Sequence, residues 1–278
     1  ETFGLLGENG AGKTTTLEII EGLRRLSGGT VSVLGEDVSH GAKNSIKERI
    51  GVQLQSSAYY HFLTLKEILE LFAGFYEKSL DVMELLRMVD LEGKAKSLVG
   101  ALSGGQKQRF SIVASLVNDP EIVFLDEPTT GLDPVARRNL WDLITKIKSQ
   151  GKTIILTTHY MEEAEVLCDR IAIMDKGEIL TIGETHKLIE STKNPFKMSF
   201  VVPNPDKKII TQIGEIGELD NLAGKSSHFE LKLKTQANVN QAMVLIQKLN
   251  PESLTVGRAS LEDLFIELTG KTIGGENA

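Results

Sequence analysis

Cysteine is almost absent: Cys168 is the only one in 278 residues. A single thiol excludes an internal disulfide framework and fits a reducing compartment. Long apolar runs are missing too. The longest stretch, Phe110 to Val117, is interrupted by two serines, far short of the ~18 apolar residues a spanning helix needs. Positive charge is in deficit, with 31 basic against 38 acidic residues and a net charge of −7. That balance argues against sequence-independent binding of DNA or RNA, which needs a basic surface. There is no internal repeat, no low-complexity segment and no signal peptide. The first residue is Glu1, with a motif opening at Gly7, so the natural start is expected to lie outside this sequence. What is present is ordinary for a globular protein: 41% hydrophobic and 25% charged residues. The length implies one large domain, or a domain with an appendage, able to bury a full core.

Two patterns divide the chain. Up to about residue 190, bare apolar runs alternate with helical patterns: Phe3–Leu6, Ile122–Leu125, Thr153–Thr157 and Arg170–Met174. Such runs predict strands buried on both faces, hence a parallel sheet covered by helices. A polar stretch, Ser191 to Pro195, marks the break. After it Phe229, Leu231 and Leu233 alternate with Glu230, Lys232 and Lys234, the period-two pattern of a half-buried strand. Val239, Ala242, Met243, Ile246 and Leu249 follow at helical spacing. Leu261, Leu264, Phe265 and Leu268 repeat it behind Ser260, an N-cap with Asp263 three positions on. Residues 196–278 therefore read as a small α+β module.

Gly7-Glu8-Asn9-Gly10-Ala11-Gly12-Lys13-Thr14 fits the phosphate-loop pattern G-x-x-x-x-G-K-[ST]. Glycines let backbone N–H groups converge on phosphate oxygens at a helix N-terminus. Lys13 is placed to reach the β- and γ-phosphates, and the Thr14 hydroxyl to bind Mg²⁺. The strand candidate before the motif and the helical pattern after it supply the required context. Gly-Lys-Thr also occurs at 151–153 and 270–272, without a glycine five residues earlier; there it is an ordinary tripeptide.

The run Ile122–Leu125 ends in Asp126-Glu127, where ligands of open α/β sheets sit. Asp126 there would hold Mg²⁺ and Glu127 could polarise an attacking water; alternatively the strand simply ends in polar residues. Leu102-Ser103-Gly104-Gly105-Gln106 precedes a helix-compatible stretch and is either an anion-binding helix start or a capped turn. His159 follows the run ending at Thr158; a lone histidine is most often structural.

Taken together, Gly7–Thr14, Gln55, Leu102–Gln106, Asp126-Glu127, Gly131-Leu132-Asp133 and His159 resemble the nucleotide-binding domain of ATP-binding-cassette (ABC) proteins. Walker A, Q-loop, signature, Walker B, D-loop and switch histidine occur there in this order. The signature is the most specific element, with Ser103 lying 23 residues before Asp126. The C-terminal Ala259–Gly270 stretch resembles the tail of ATPases of bacterial drug, antibiotic and polysaccharide exporters, including the daunorubicin-resistance type.

The resemblance implies a P-loop NTPase of ABC type over residues 1–190, a helical subdomain at about 56–118, and the module at 196–278. Residues Gly7 through Thr14, with Thr15, would bind ATP; Thr14, Gln55 and Asp126 would hold Mg²⁺; Glu127, His159 and Gln55 would serve hydrolysis. Leu102, Ser103, Gly104, Gly105, Gln106 and Asp133 would complete the site of a partner cassette, in a homo- or heterodimer. The implied partner is an integral membrane permease, and the implied place is the cytoplasmic face of the cell membrane, held peripherally. Family members stack adenine on an aromatic residue ahead of Walker A, expected here in a segment outside this sequence. The Q-loop carries Leu54 where proline is usual, but the glutamine itself is retained. In the helical subdomain, Leu65, Ile68, Leu69, Leu71 and Phe72 carry the apolar pattern and are expected in its core. The competing reading is a non-transport ABC ATPase acting as a binding module on ribosome or nucleic acid. One Walker A, one signature and the acidic balance disfavour it, and a GTPase reading lacks the Asn-Lys-x-Asp motif.

Overall fold

The computed structural model describes residues 1–54, 59–221 and 227–270. The chain forms two compact units, Glu1–Glu184 and Thr185–Ala278.

In the first unit β1 (Thr2–Leu6) leads into α1 (Lys13–Ile20). A ribbon of β2 (Ser32–Val33) with β3 (Glu36–Asp37) and a short α2 (Asn44–Lys47) come before β4 (Ile50–Gln53). Three helices follow: α3 (Leu65–Ala73), α4 (Val82–Met88) and α5 (Gly104–Ala114). Then β5 (Ile122–Asp126), α6 (Pro134–Ser149), β6 (Thr153–Thr158), α7 (Met161–Leu167) and β7 (Arg170–Asp175) alternate, and β8 (Glu178–Glu184) closes the unit.

The large sheet runs β4-β5-β6-β1-β7-β8. Its first five strands are parallel. Leu6, Phe124, Ile154, Leu156, Ile171 and Ile173 are fully buried, which is why these strands read as unbroken apolar runs. β8 departs from that expectation. It is an antiparallel edge strand with Ile179 and Ile182 exposed. Lys176 and Gly177 both have positive φ, the turn chemistry that folds β8 back on β7.

The order β5-β6-β1 matters for function. It sets the carboxyl ends of three neighbouring strands side by side, although β1 precedes β5 by more than a hundred residues. The helical segment α3–α5 is nucleated by two capping boxes, Thr64 with Glu67 and Ser103 with Gln106. Leu65, Ile68 and Leu69 are fully buried, as their spacing predicts. Leu71 differs from the expectation: it is 37% exposed, because it lies on the outer face of α3.

The second unit holds α8 (Thr185–Glu190), β9 (Phe196–Val201), α9 (Lys207–Gly214), β10 (Glu218–Asn221), β11 (His228–Leu233), α10 (Gln236–Gln247), β12 (Ser253–Arg258) and α11 (Leu261–Thr269). The sheet order β10-β11-β9-β12, antiparallel throughout, is the βαββαβ ferredoxin-like arrangement. Met198, Phe200, Phe229, Leu231 and Leu233 pack with Ile213, Val239, Ala242 and Ile246 in a core of the unit's own. Ser260 caps α11 in a capping box with Asp263, and Gly270 ends it with φ 69°. The division falls at Glu184/Thr185, before the polar stretch at 191–195. The reason is α8, which packs with α11 and carries Glu190, paired with Arg258 at 2.9 Å. In the first spare Gly-Lys-Thr string Lys152 pairs with Asp119 at 2.6 Å, and Gly270 of the second ends α11.

Candidate functional site

The loop between β1 and α1 is shaped by its glycines. Gly10 and Gly12 have φ of 83° and 102°, left-handed conformations that side chains rarely adopt. A Cβ on Gly7 would lie 2.4 Å from the Met174 carbonyl oxygen, so only glycine lets the loop lie against β7. No side chain caps α1, and no acidic residue sits in its first turn. The first N–H groups of α1 are therefore open toward the loop, a ready anion site.

Lys13 is 4% exposed and curls back under the loop. Its Nζ donates to the carbonyls of Gly7 at 2.9 Å and Glu8 at 3.0 Å, and lies 3.3 Å from Glu127 Oε1. Thr14 Oγ1 donates to Asp126 Oδ1 at 3.3 Å, and Thr157 Oγ1 donates to the same oxygen. Thr15 is exposed at the loop margin.

Glu127 sits just past β5 with φ 46°. For a non-glycine residue that conformation costs roughly 1–2 kcal/mol. It is held by its N–H, which donates to the Thr157 carbonyl at 3.2 Å and to Thr157 Oγ1 at 3.0 Å. Glu127 Oε2 accepts from Thr130 Oγ1 at 3.0 Å and lies 3.2 Å from His159 Nδ1, off hydrogen-bond alignment. Burial by itself would raise the Glu127 carboxyl, but the charge of Lys13, then His159 and the Thr130 and Lys13 hydrogen bonds, bring it below its ordinary value. Glu21, at the end of α1, moves the other way: burial and the charge of Asp126 raise it to about 7.

Gly7 through Thr14, Asp126, Glu127 and His159 are thus gathered at one place from three strand ends. Ser103, Gly104, Gly105, Gln106 and Asp133 are gathered at another, lining one concavity of the first unit with Arg109 and Gly131. Ser103 begins α5 and Asp133 begins α6, whose N–H groups at Val135 and Ala136 it caps at 2.9 Å. Leu102 is buried behind Ser103. Gln55 lies outside the described residues.

Sequence reasoning missed Thr157, Thr130 and Glu21. Thr157 had a signal: two threonines end an otherwise apolar buried strand immediately before His159. Glu21 had none, because nothing in its spacing shows that α1 returns it to Asp126.

A glycine-lined loop at a helix start, a buried lysine and a strand-end carboxylate pair define a P-loop ATPase. The ABC transporter family model matches residues 1–130. The Nod factor export ATP-binding protein I of Burkholderia orbicola is 38% identical, covering 98% of this chain and 88% of that protein. The linearmycin resistance ATP-binding protein LnrL of Bacillus subtilis is 34% identical, covering 98% and 91%. Among solved structures, an ATP-binding subunit of an ABC transporter is similar with TM-score 0.60 and 33% identity, over 68% of this chain and 80% of that one. A dimeric ATP-binding cassette in a post-hydrolysis state, bound to ADP and Pi, is similar with TM-score 0.59 and 27% identity, over 66% and 85%. This chain belongs to the ABC transporter family. It is an ATP-binding, ATP-hydrolysing subunit of the exporter type.

Proposed function

We propose that two such subunits, identical or not, meet head to tail around two ATP molecules and drive a separate membrane permease from the cytoplasmic face. The observation that carries this reading is the separation of the two constellations. Lys13, Asp126 and Glu127 form one site, whereas Ser103, Gly104 and Asp133 line another concavity and do not touch it. The signature residues then complete the site of a partner. A solved relative is described as dimeric and bound to ADP and Pi, which supports a dimer.

The chain's own residues account for the chemistry. Lys13 exchanges its loop carbonyls and Glu127 for phosphate oxygens. Glu127 then keeps its burial but loses its nearest cation, so its carboxyl rises and becomes a better proton acceptor for the attacking water. His159, beside Glu127, orients that water and the γ-phosphate. A hydroxyl and a carboxylate, Thr14 and Asp126, already in contact, are the hard oxygen donors that suit Mg²⁺. Bound there with Gln55, Mg²⁺ would neutralise charge on the phosphates.

The permease reading draws on the relatives' names, one an export protein and one a resistance protein. It also draws on aromatic exposure in the helical segment, where Phe62 is 76% and Phe75 69% exposed. Phe62 lies 5.9 Å, ring to ring, from Tyr60, itself 56% exposed, so these two form a small joint apolar patch, the kind of feature that supports a docking surface. No described helix is long and apolar enough to cross a membrane.

Complementation tests the head-to-tail arrangement. Subunits carrying Lys13→Ala, or Ser103→Arg, are each expected to be inactive alone. Mixed, they form one intact composite site, from the P-loop of one and the signature of the other, and turnover returns. No recovery on mixing would overturn the arrangement. Reconstitution with the permease in vesicles, with ATP-driven export as the readout, tests the coupling.

A further inference from the structure

Behind the site, three buried polar atoms lack an aligned hydrogen-bond partner: Glu163 Oε2, Thr129 Oγ1 and Arg137 Nε. Glu163 is fully buried on α7, and its Oε1 accepts from Trp141 Nε1 of α6 at 3.1 Å. Thr129 is equally buried, two residues past Glu127 in the loop leading to Asp133. The Arg137 guanidinium lies 4.3 Å over the Tyr160 ring, and that ring is 4.1 Å from the ring of His159. Tyr160 N–H donates to Thr158 Oγ1 at 3.0 Å. One carboxylate therefore faces the loop after β5, the helix that Asp133 starts, and the strand end that bears His159.

Electrostatics agree with this placement. Burial pushes the Glu163 carboxyl up, and the Thr158 and Thr129 hydroxyls, the Trp141 N–H and the charge of Arg137 offset only part of it. The Thr129 hydroxyl is within reach of Glu163, yet neither it nor Oε2 is in hydrogen-bond alignment. Buried polar groups are nearly always paired, so three orphans together call for an explanation. A small rotation of Thr129 toward Oε2 would pair two of the three.

We propose that Glu163 is a positioning residue that captures Thr129, and so fixes the loop carrying Glu127 and Asp133 relative to His159 when the site closes. Contact of Asp133 with a second cassette then reaches the hydrolytic pair through buried hydrogen bonds and a packed ring stack. That last step rests on the head-to-tail reading; the tie between Thr129, Trp141 and the strand end does not. Glu163 touches no nucleotide in this scheme. Its removal changes how often the loop is in place, leaving ATP affinity as it was.

The test uses steady-state ATPase kinetics of the full-length subunit and the emission of Trp141, the only tryptophan in the sequence. Glu163→Ala should lower kcat about 10-fold with KM for ATP within about 2-fold. Glu163→Gln, which keeps an acceptor for Trp141, should retain most of kcat. Thr129→Val preserves shape and removes only the hydroxyl, so it carries the test if Glu163→Ala does not fold. It should lose kcat similarly, and add little further loss in a Glu163→Ala background. Trp141 emission should shift on nucleotide addition in the parent and not in Thr129→Val. Parent-like kcat in Thr129→Val, or a loss confined to KM, would overturn the proposal. The complementation experiment separates the two failures: if the mixture recovers turnover while Thr129→Val behaves as the parent, only the positioning role falls.

Discussion

Lys13 Nζ and Glu127 Oε1 lie 3.3 Å apart, with side chains only 4% and 6% exposed. The residue that binds phosphate and the residue placed to activate water thus neutralise each other before nucleotide arrives. Each is held in place by the other, and each is released when phosphate takes the lysine. Substitutions at either position act on both binding and stability.

Glu127→Gln keeps the size and hydrogen-bonding reach of the side chain and removes its charge. ATP should still bind, because Lys13, Thr14 and Asp126 remain. Turnover should fall about 10²- to 10⁴-fold, the usual loss for a general base. The closed dimer should accumulate with Mg-ATP in size exclusion. A variant that stays monomeric and hydrolyses at the parent rate contradicts the assignment of the base.

Lys13→Ala should be the more damaging change. It removes the counter-charge for phosphate and leaves Glu127 buried without its partner. Breaking a buried ion pair on one side costs about 3–5 kcal/mol, here reduced because Glu127 can take up a proton. Both nucleotide affinity and the urea midpoint should drop. The double variant Lys13→Ala/Glu127→Gln should regain part of the stability and none of the binding. A urea midpoint unchanged in Lys13→Ala would show that the pair contributes nothing to the fold.

Glu21 sets a pH dependence. Its carboxyl is raised from 4.5 to about 7, first by burial and then by the charges of Asp126 and Glu18. Folding therefore takes up a proton between those values. The contribution is whole below about pH 4.5 and is lost as pH rises through about 7. Glu21→Gln removes the dependence, so the variant should gain on the parent by up to a few kcal/mol at about pH 8 relative to about pH 5. Urea midpoints of both proteins at the two pH values measure it. A difference that does not change with pH rules out titration of Glu21.

The second unit has its own core and none of the nucleotide-site residues. A chain ending at Glu184 should fold and bind ATP, and one beginning at Thr185 should fold as an α+β module. Circular dichroism and nucleotide titration check the two halves. A cut after Ser191 should do worse than one after Glu184, because it strands α8 without α11. Equal behaviour of the two cuts would place the boundary elsewhere.

The parts of the site written as contiguous motifs were legible in the sequence. A phosphate loop needs its glycines and lysine at fixed offsets, so Gly7 to Thr14 declares itself. Asp126 and Glu127 follow an apolar run whose burial on both faces leaves no other reading than an inner strand. The Ser260 capping box could be read off two residues. What could not be read was anything set by packing between distant segments. Thr157 reaches Asp126 only because β5 and β6 are neighbours. Leu71 fits the helical apolar pattern yet faces outward, since periodicity shows which residues share a face and not how wide the covered face is. β8 carries the apolar Ile179, Leu180 and Ile182 yet exposes all three at the sheet edge, so apolar content misleads there and the usable signal was the Lys176-Gly177 turn.

The place of β1 in the sheet bears on how the protein is made. This strand, first in the sequence, pairs Thr2 with Ile154 on one side and Phe3 with Arg170 on the other. Its two neighbours follow it in the chain by about 150 and about 170 residues. At about 5–20 residues per second the nascent strand waits on the order of 10 s or more with its apolar edge groups unpaired. Late insertion of a central strand also makes folding slow relative to proteins built from local contacts. The phosphate loop is therefore assembled among the last parts of its unit, and a chain that binds ATP has already passed the stage at which it was exposed to chaperones and proteases.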